Sequence, residues 1–512
     1  MRIRSRIVLV EVLAIAVAVL AACTPSGPAA GGSGDGDGDK SITIGVTALG
    51  AQYDPGAGAY MYSSLDVNAV YDSLLIQNDK GSWDPWLATK YELSDDRKGL
   101  SFTLRDDVDF VDGVHLNADA VVGYLEAERA NKAFSMYAKW LQFGVKFKTT
   151  GEYTFTATGK TPFDYDLIYG VVATTPIASP KAIKDPKSLT KTPVGTGPYK
   201  IDQVVPDVSA TFVRNPDYWN KAAFPFDTVK LQVFDDDVAA LNALKSKQID
   251  AAGLSIANAV EAKGSGFTVA STPGRFVSLY FADRAGKIQP AFADKRVRQA
   301  INYAFDRKTI NDTLNLGFGR VSSQPFSSIF PEYVEGKDDY YTYDLDKAKA
   351  LMADAGYANG FDLKLPSTTF LGINETAPVV QQTLSELNIR VTFDQINDPT
   401  AFFKRARDGK YPVLLYNEAY VNALTFIDAK GFWNYLGYND PKAQALYDTV
   451  RTGSIEESTV ASKKLGEYIL EQAWLAPFSA PESPWASVSG VRVDLAAGNS
   501  GVPYLVNFHT NP

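Results

Sequence analysis

The chain has 512 residues, of which 45% are hydrophobic and 21% charged, a composition that belongs to a folded globular protein and excludes a disordered one. That length exceeds the roughly 250–300 residues at which a single core usually stops growing, so two or more lobes are expected. A net charge of −9, with 50 basic against 59 acidic residues, argues against nucleic acid as a partner and against anionic lipid bound through the folded part.

The chain opens MRIRSR, three arginines in six positions, and continues in an apolar run from Ile7 to Ala22. A positive start and an apolar stretch shorter than the about 20 residues of a spanning helix predict an export signal. The signal is assigned to residues 1–22. Its end, Leu20-Ala21-Ala22-Cys23, resembles a bacterial lipobox, which implies that Cys23, the one cysteine of the chain, is lipidated and becomes the first mature residue. Removing residues 1–22 takes away three Arg and one Glu and leaves a net charge of −11. Thr24 to Lys40, TPSGPAAGGSGDGDGDK, buries nothing and is expected to be a flexible tether, so residues 23–40 anchor the folded part to the extracellular face of the cell membrane.

Folded sequence begins at Ser41, where Ile42, Ile44 and Val46 alternate with Thr43 and Gly45 as a half-buried strand. A loop carrying Tyr53 and Asp54 follows. An apolar helical pattern through Val70, Leu74 and Leu75 gives way to a Lys80-Gly81 turn, then to a strand with Phe102 and Leu104. Asn117 is placed to cap a helix carrying Val121, Val122 and Leu125. Residues YTFTAT, from Tyr153 to Thr158, alternate as a strand, and an apolar run from Leu167 to Val172 reads as a helix. One lone His115 here has no cluster of ligating residues around it in sequence, and a structural role is expected for it.

From Thr192 to Asn220 the chain reads TPVGTGPYKIDQVVPDVSATFVRNPDYWN. Gly195 and Gly197 allow a tight turn or positive φ, Pro198 then forces extended backbone, and two strands around Pro206-Asp207 form a hairpin. GTGPY followed by RNPDYW resembles the paired signature of the family 5 extracellular solute-binding proteins, the peptide and oligopeptide receptors of bacterial ABC importers. Later segments resemble the same family in the same order: FTLRDDVDFVDG before the hairpin, AFADKRVRQAINYAFDRKTI and YDLDKAKALMADAGY after it.

The resemblance implies an α/β, periplasmic-binding-protein-like clamp of class II type (cluster C), with two main lobes plus an extra small domain. It divides the chain into lobe I (41–55, 190–270 and 482–512), a small domain II (56–189) and lobe III (271–481). It also implies a monomer that closes on its solute by hinge motion and presents it to ABC permease subunits in the membrane, with no cofactor, no metal ion and no catalysis. An extracellular hydrolase finds no support, since His115 and His509 are far apart and no nucleophile elbow is present. A sensor feeding a membrane signalling protein would use the same clamp and stays open.

In the expected lobe III, Asp294 and Asp344 are placed as helix N-caps and Gly356 as a C′ residue. Asp236 or Asp237 caps a helix with Val238, Leu241 and Leu244 on one face, and Thr376 opens a helix with Pro378 in its first turn. Strand and helix alternate, which predicts a largely parallel sheet. A strand from Tyr411 to Tyr416 leads into a loop, and ligands gather beyond such strand ends. The candidate binding residues are therefore Tyr416, Asn417, Glu418, Tyr420, Asn422 and Phe426, with Asn434 near the cleft mouth. Tyr53 and Asp54 join them because the resemblance carries the first strand into the cleft. Peptide-binding members carry an acid followed by proline in this loop, pairing with the peptide amine; here Asn422 falls near that position and the Asp-Pro element is missing. Glu418 either restores the anion for a peptide-like ligand or is solvated, in which case the tyrosines and amides suit an oligosaccharide or other neutral polar solute.

Overall fold

The computed structural model describes residues 40–50, 53–55, 65–78, 82–132, 140–141, 143–163, 175–185, 189–273, 275–369, 373–418, 427, 431, 433–495 and 502–511. The tether, Cys23 and the expected helix from Leu167 to Val172 lie outside them.

Strand Ser41–Val46 turns Ile42 and Ile44 into the core and pairs in parallel with Thr228–Val233 on one side and Ala251–Gly253 on the other. Around it a seven-stranded sheet draws further strands from Tyr199–Val205, Ser209–Arg214, Thr268–Pro273 and Glu482–Ser487. A four-stranded antiparallel sheet comprises Ala88–Leu93, Gly99–Leu104, Lys146–Gly151 and Thr154–Thr158. One hydrophobic core runs through both sheets, from Ile42 and Val229 to Phe102 and Phe155. Asn117 accepts from the Ala120 N–H at 2.9 Å and caps the helix Ala118–Ala130 laid on the smaller sheet.

A second core lies within residues 277–478. Its centre is the strand Phe276–Phe281, buried at every position, between Val413–Glu418 and Leu475–Ser479. Both pairings are antiparallel, and among the described residues the parallel pairing in this part joins only Asp362–Ser367 to Arg390–Gln395. The expected largely parallel sheet is thus corrected: strand-helix alternation is local, while the partners of the central strand come from far along the chain. Two adjacent passages join the cores, Thr268–Pro273 into Phe276–Phe281 and Leu475–Ser479 back into Glu482–Ser487.

Asp236, Asp294 and Asp344 each accept a backbone N–H at the start of a helix, and Gly356 takes φ +84 just past the end of one. Val238 faces out, because Ala240, Leu241, Ala243 and Leu244 fill the inward stripe. The helix expected from Thr376 starts at Ile373, which moves Pro378 from its first turn to its interior.

The signature hairpin is present, but its glycines act differently from expectation. Neither Gly195 nor Gly197 takes positive φ; a Cβ on Gly195 would lie 2.1 Å from the Val70 carbonyl oxygen, and one on Gly197 2.4 Å from the Val70 carbonyl carbon. The glycines let this turn lie backbone to backbone on residues 69–71, with the Gly197 N–H donating to Val70 O at 3.1 Å. The helix Leu65–Val70 consequently stops there, and Leu75, expected within a helix, pairs as a strand with Pro85. Gly195→Ala is expected to destabilise the protein by about 2 kcal/mol through forced overpacking, read as a lower denaturant midpoint.

Beyond the turn, Asp72 is buried and gathers the signature around its carboxylate. Thr196 Oγ1 donates to it at 2.9 Å, Tyr218 OH at 3.0 Å and Trp86 Nε1 at 2.7 Å. Burial pushes its pKa up to about 6 against the pull of those donors.

Candidate ligand-binding site

The side chains of Val413–Glu418 alternate, so Leu414, Tyr416 and Glu418 share one face of the sheet with their partners Tyr280, Ser278 and Phe276. Asn417 and Glu418, expected in a loop, are thus the last residues of a strand. Glu418 Oε2 accepts from Tyr280 OH at 3.2 Å and Oε1 from Trp433 Nε1 at 3.1 Å. Burial pushes the Glu418 carboxyl up to about 7, opposed by these two donors and by the positive charge of Arg275.

Aromatic rings wall this carboxylate. Tyr280 and Trp433 stack with centroids 5.3 Å apart, and Tyr416 lies 4.6 Å from Trp433 at a tilt. Phe402 and Phe403 support Tyr416 from behind, at 6.4 and 5.9 Å. Rings packed this way hold their places, so Trp433 aims its N–H at a fixed point.

Asn434 is fully buried and its amide is engaged within the second core. It donates to the carbonyls of Ile427 and Tyr438 and accepts from the Tyr438 N–H and from Arg284 Nη2. Arg284 in turn lies over Trp474 at 4.5 Å and Tyr438 at 5.0 Å, and burial lowers its pKa to about 9. Asn434 therefore braces the turn that presents Trp433.

Tyr53 and Asp54 sit with the first core. The Tyr53 carbonyl accepts from Tyr71 OH at 2.9 Å, and its N–H donates to Thr190 O at 3.3 Å. Its own hydroxyl is buried with no hydrogen-bond partner among the described residues. The charge of Asp54 acts on Tyr71, Tyr124 and Glu128; burial, then Asp54, raises Glu128 to about 7. The candidate residues thus fall into two groups, one on each core. Tyr420, Asn422 and Phe426 lie outside the described residues.

Sequence reading missed Tyr280, Trp433 and Glu128 as members of these groups. Tyr280 had a signal, since it alternates with Phe276 and Ser278 in FVSLYF. Glu128 lies one helical turn after Tyr124, on the buried face of Ala118–Ala130.

Two cores joined by two adjacent passages thus carry polar and aromatic candidate residues on both. The description "Bacterial extracellular solute-binding proteins, family 5 Middle" matches residues 82–443, and the chain belongs to that family, the solute-binding proteins of ABC importers. It is 24% identical over 377 residues to the nickel-binding periplasmic protein of Escherichia coli (strain K12), a span covering 68% of this chain and 69% of that protein. It is 26% identical over 314 residues to the glutathione-binding protein GsiB of Salmonella typhi, 59% of each chain, so less than two thirds of that relative is spanned. Among solved structures, HbpA2 from Haemophilus parasuis superposes with a TM-score of 0.79 at 20% identity, covering 92% of this chain and all of that one; at that identity the likeness bears on the fold.

Proposed function

We propose that the protein captures an amine-bearing, peptide-like solute between its two cores, with Glu418 as the anion for the amine, and delivers it to an ABC permease. The observation that carries this reading is the Glu418 carboxylate, held by two neutral donors between the rings of Tyr280, Tyr416 and Trp433. An ammonium group supplies the opposite charge such a carboxylate favours, and aromatic faces attract it further. Glu128, whose hydrogen bond comes from the neutral amide of Asn131, adds a second negative group on the first core. The glutathione-binding relative agrees, glutathione being a peptide with a free amine. We assign Asn434 to the framework of the site, with Tyr416, Asn417 and Glu418 as its direct contacts and Tyr53 and Asp54 facing them from the first core. We further assign a monomeric, non-catalytic lipoprotein anchored through Cys23 and divided into lobes as the sequence resemblance implies.

A second reading, a neutral saccharide stacked on Tyr416, draws on the Tyr416–Trp433 ring pair and the Asn417 amide. Thermal-shift measurements with tripeptides, saccharides and metal chelates separate the two. A ligand at 100 times its Kd stabilises the folded state by about 2.7 kcal/mol. Tripeptides are expected to raise the transition and saccharides to leave it in place; the reverse pattern overturns the first reading.

A further inference from the structure

Arg97 stands in the turn between Ala88–Leu93 and Gly99–Leu104 of the four-stranded sheet and is 6% exposed. It reaches out of the first core altogether. Its Nη2 donates to the Val450 carbonyl at 2.7 Å and its Nη1 to Ser458 Oγ at 2.8 Å. Both acceptors belong to the helix pair Pro441–Thr452 and Ile455–Glu471, which packs on the second core through Ala443, Tyr447, Leu465 and Ile469. Ser458 Oγ also donates to Val450 O at 2.8 Å, so cation, hydroxyl and carbonyl are hydrogen-bonded to one another.

The turn is built to present this side chain. Ser94 Oγ accepts from the Gly99 N–H at 2.8 Å and donates to Asp96 Oδ1 at 2.7 Å, which also accepts the Lys98 N–H. The Arg97 N–H donates to Ser94 O at 2.8 Å, and the Arg97 carbonyl accepts the Phe163 N–H at 2.7 Å. Within this brace Arg97 takes φ +54, in the left-handed region that an arginine rarely adopts and that persists only where the surroundings impose it. On the other side, Val450 lies in the last turn of its helix, where carbonyls carry the negative end of the helix dipole and suit a cation.

The chain passes between the two cores twice, and the strands flanking the two passages pair with each other, Pro273 with Glu482 and Val277 with Ser479. The Arg97 contact from the four-stranded sheet to the helix pair bridges the two cores at another place. We propose that Arg97 is a closure latch, a positioning residue that holds the two cores together when the receptor closes and so sets the fraction of closed molecules available to retain solute. This inference concerns the clamp and does not depend on which solute Glu418 meets. The acceptors are a carbonyl and a hydroxyl, which permits a contact that breaks and re-forms with the hinge.

The test uses the ligand-free full chain. Arg97→Gly removes the side chain while keeping the backbone at ease, since glycine adopts positive φ readily. It is expected to speed amide exchange by about tenfold in the segments around Gly453 and Ser458, to leave Phe276–Phe281 protected as before, and to raise the radius of gyration in small-angle scattering. Arg97→Lys, able to reach one acceptor, is expected to fall between, and Ser458→Ala to act in the same direction with no further effect when combined with Arg97→Gly. Unchanged exchange and radius in Arg97→Gly overturn the latch, as does exchange accelerated equally through Phe276–Phe281 at constant radius, which marks plain loss of stability.

Discussion

Asp72→Ala is expected to lower the stability of the protein by about 3 kcal/mol, because it leaves three donors without their shared acceptor in a buried site. Those donors are Thr196 Oγ1, Tyr218 OH and Trp86 Nε1, which arrive from three separate segments. Chemical denaturation followed by tryptophan fluorescence reads the change, since Trp86 and Trp219 pack at 5.0 Å beside the site. Asp72→Asn keeps the volume and one acceptor and is expected to cost less. Its deficit also depends on pH. The Asp72 pKa is raised in the folded protein to about 6, above its ordinary 3.8, so the folded state holds a proton that the unfolded chain has lost between those values. The contribution of Asp72 to stability is therefore full below pH about 4 and declines as pH rises to about 6, so the deficit of Asp72→Asn shrinks across that window. A deficit that grows across it contradicts the assignment.

Glu418→Gln is expected to weaken binding of a solute with a free ammonium group, such as zwitterionic trialanine, by about 1.5–3 kcal/mol, roughly 10-fold to 150-fold in Kd. The fold should stay intact, because glutamine has the same length and its carbonyl oxygen still accepts a hydrogen bond. The parent protein carries a Glu418 carboxyl raised to about 7, so its ionised, ammonium-binding form predominates only above that value. Below pH 7 the α-amino group of a peptide, which titrates at about 7.7–8.0, stays largely protonated, so affinity for an amine is expected to fall as pH drops from 7 to 6 in the parent and to stay nearly flat in Glu418→Gln, measured by titration calorimetry. Equal affinities in the two proteins at pH 8 remove Glu418 from the site.

Local features of this fold were legible in the sequence. Asn117, Asp236, Asp294 and Asp344 are caps because a short side chain meets an N–H two or three residues on, a geometry that needs no distant partner. The hairpin after Gly197 follows from alternation and turn residues in the same way. What was hidden depends on chain segments meeting. The reason for Gly195 and Gly197 is the backbone at residues 69–71, more than a hundred residues earlier. Asp72 gives no sign in sequence that Thr196 and Tyr218 converge on it. Glu418 was offered by its charge and its place after Tyr416, as an anion for an amine or as a solvated residue, but the Tyr280 and Trp433 donors that hold its carboxylate are 138 and 15 residues away. Asn434, placed near the cleft mouth by the family resemblance, spends its hydrogen bonds on the turn that carries Trp433.

The central claim, that this family 5 receptor selects its solute by a free amine, is tested most directly by native mass spectrometry of the full chain. The protein is offered trialanine, N-acetyl-trialanine and maltotriose together at pH 8. Retention of trialanine alone is the predicted result. Retention of maltotriose, or of both peptides equally, contradicts it.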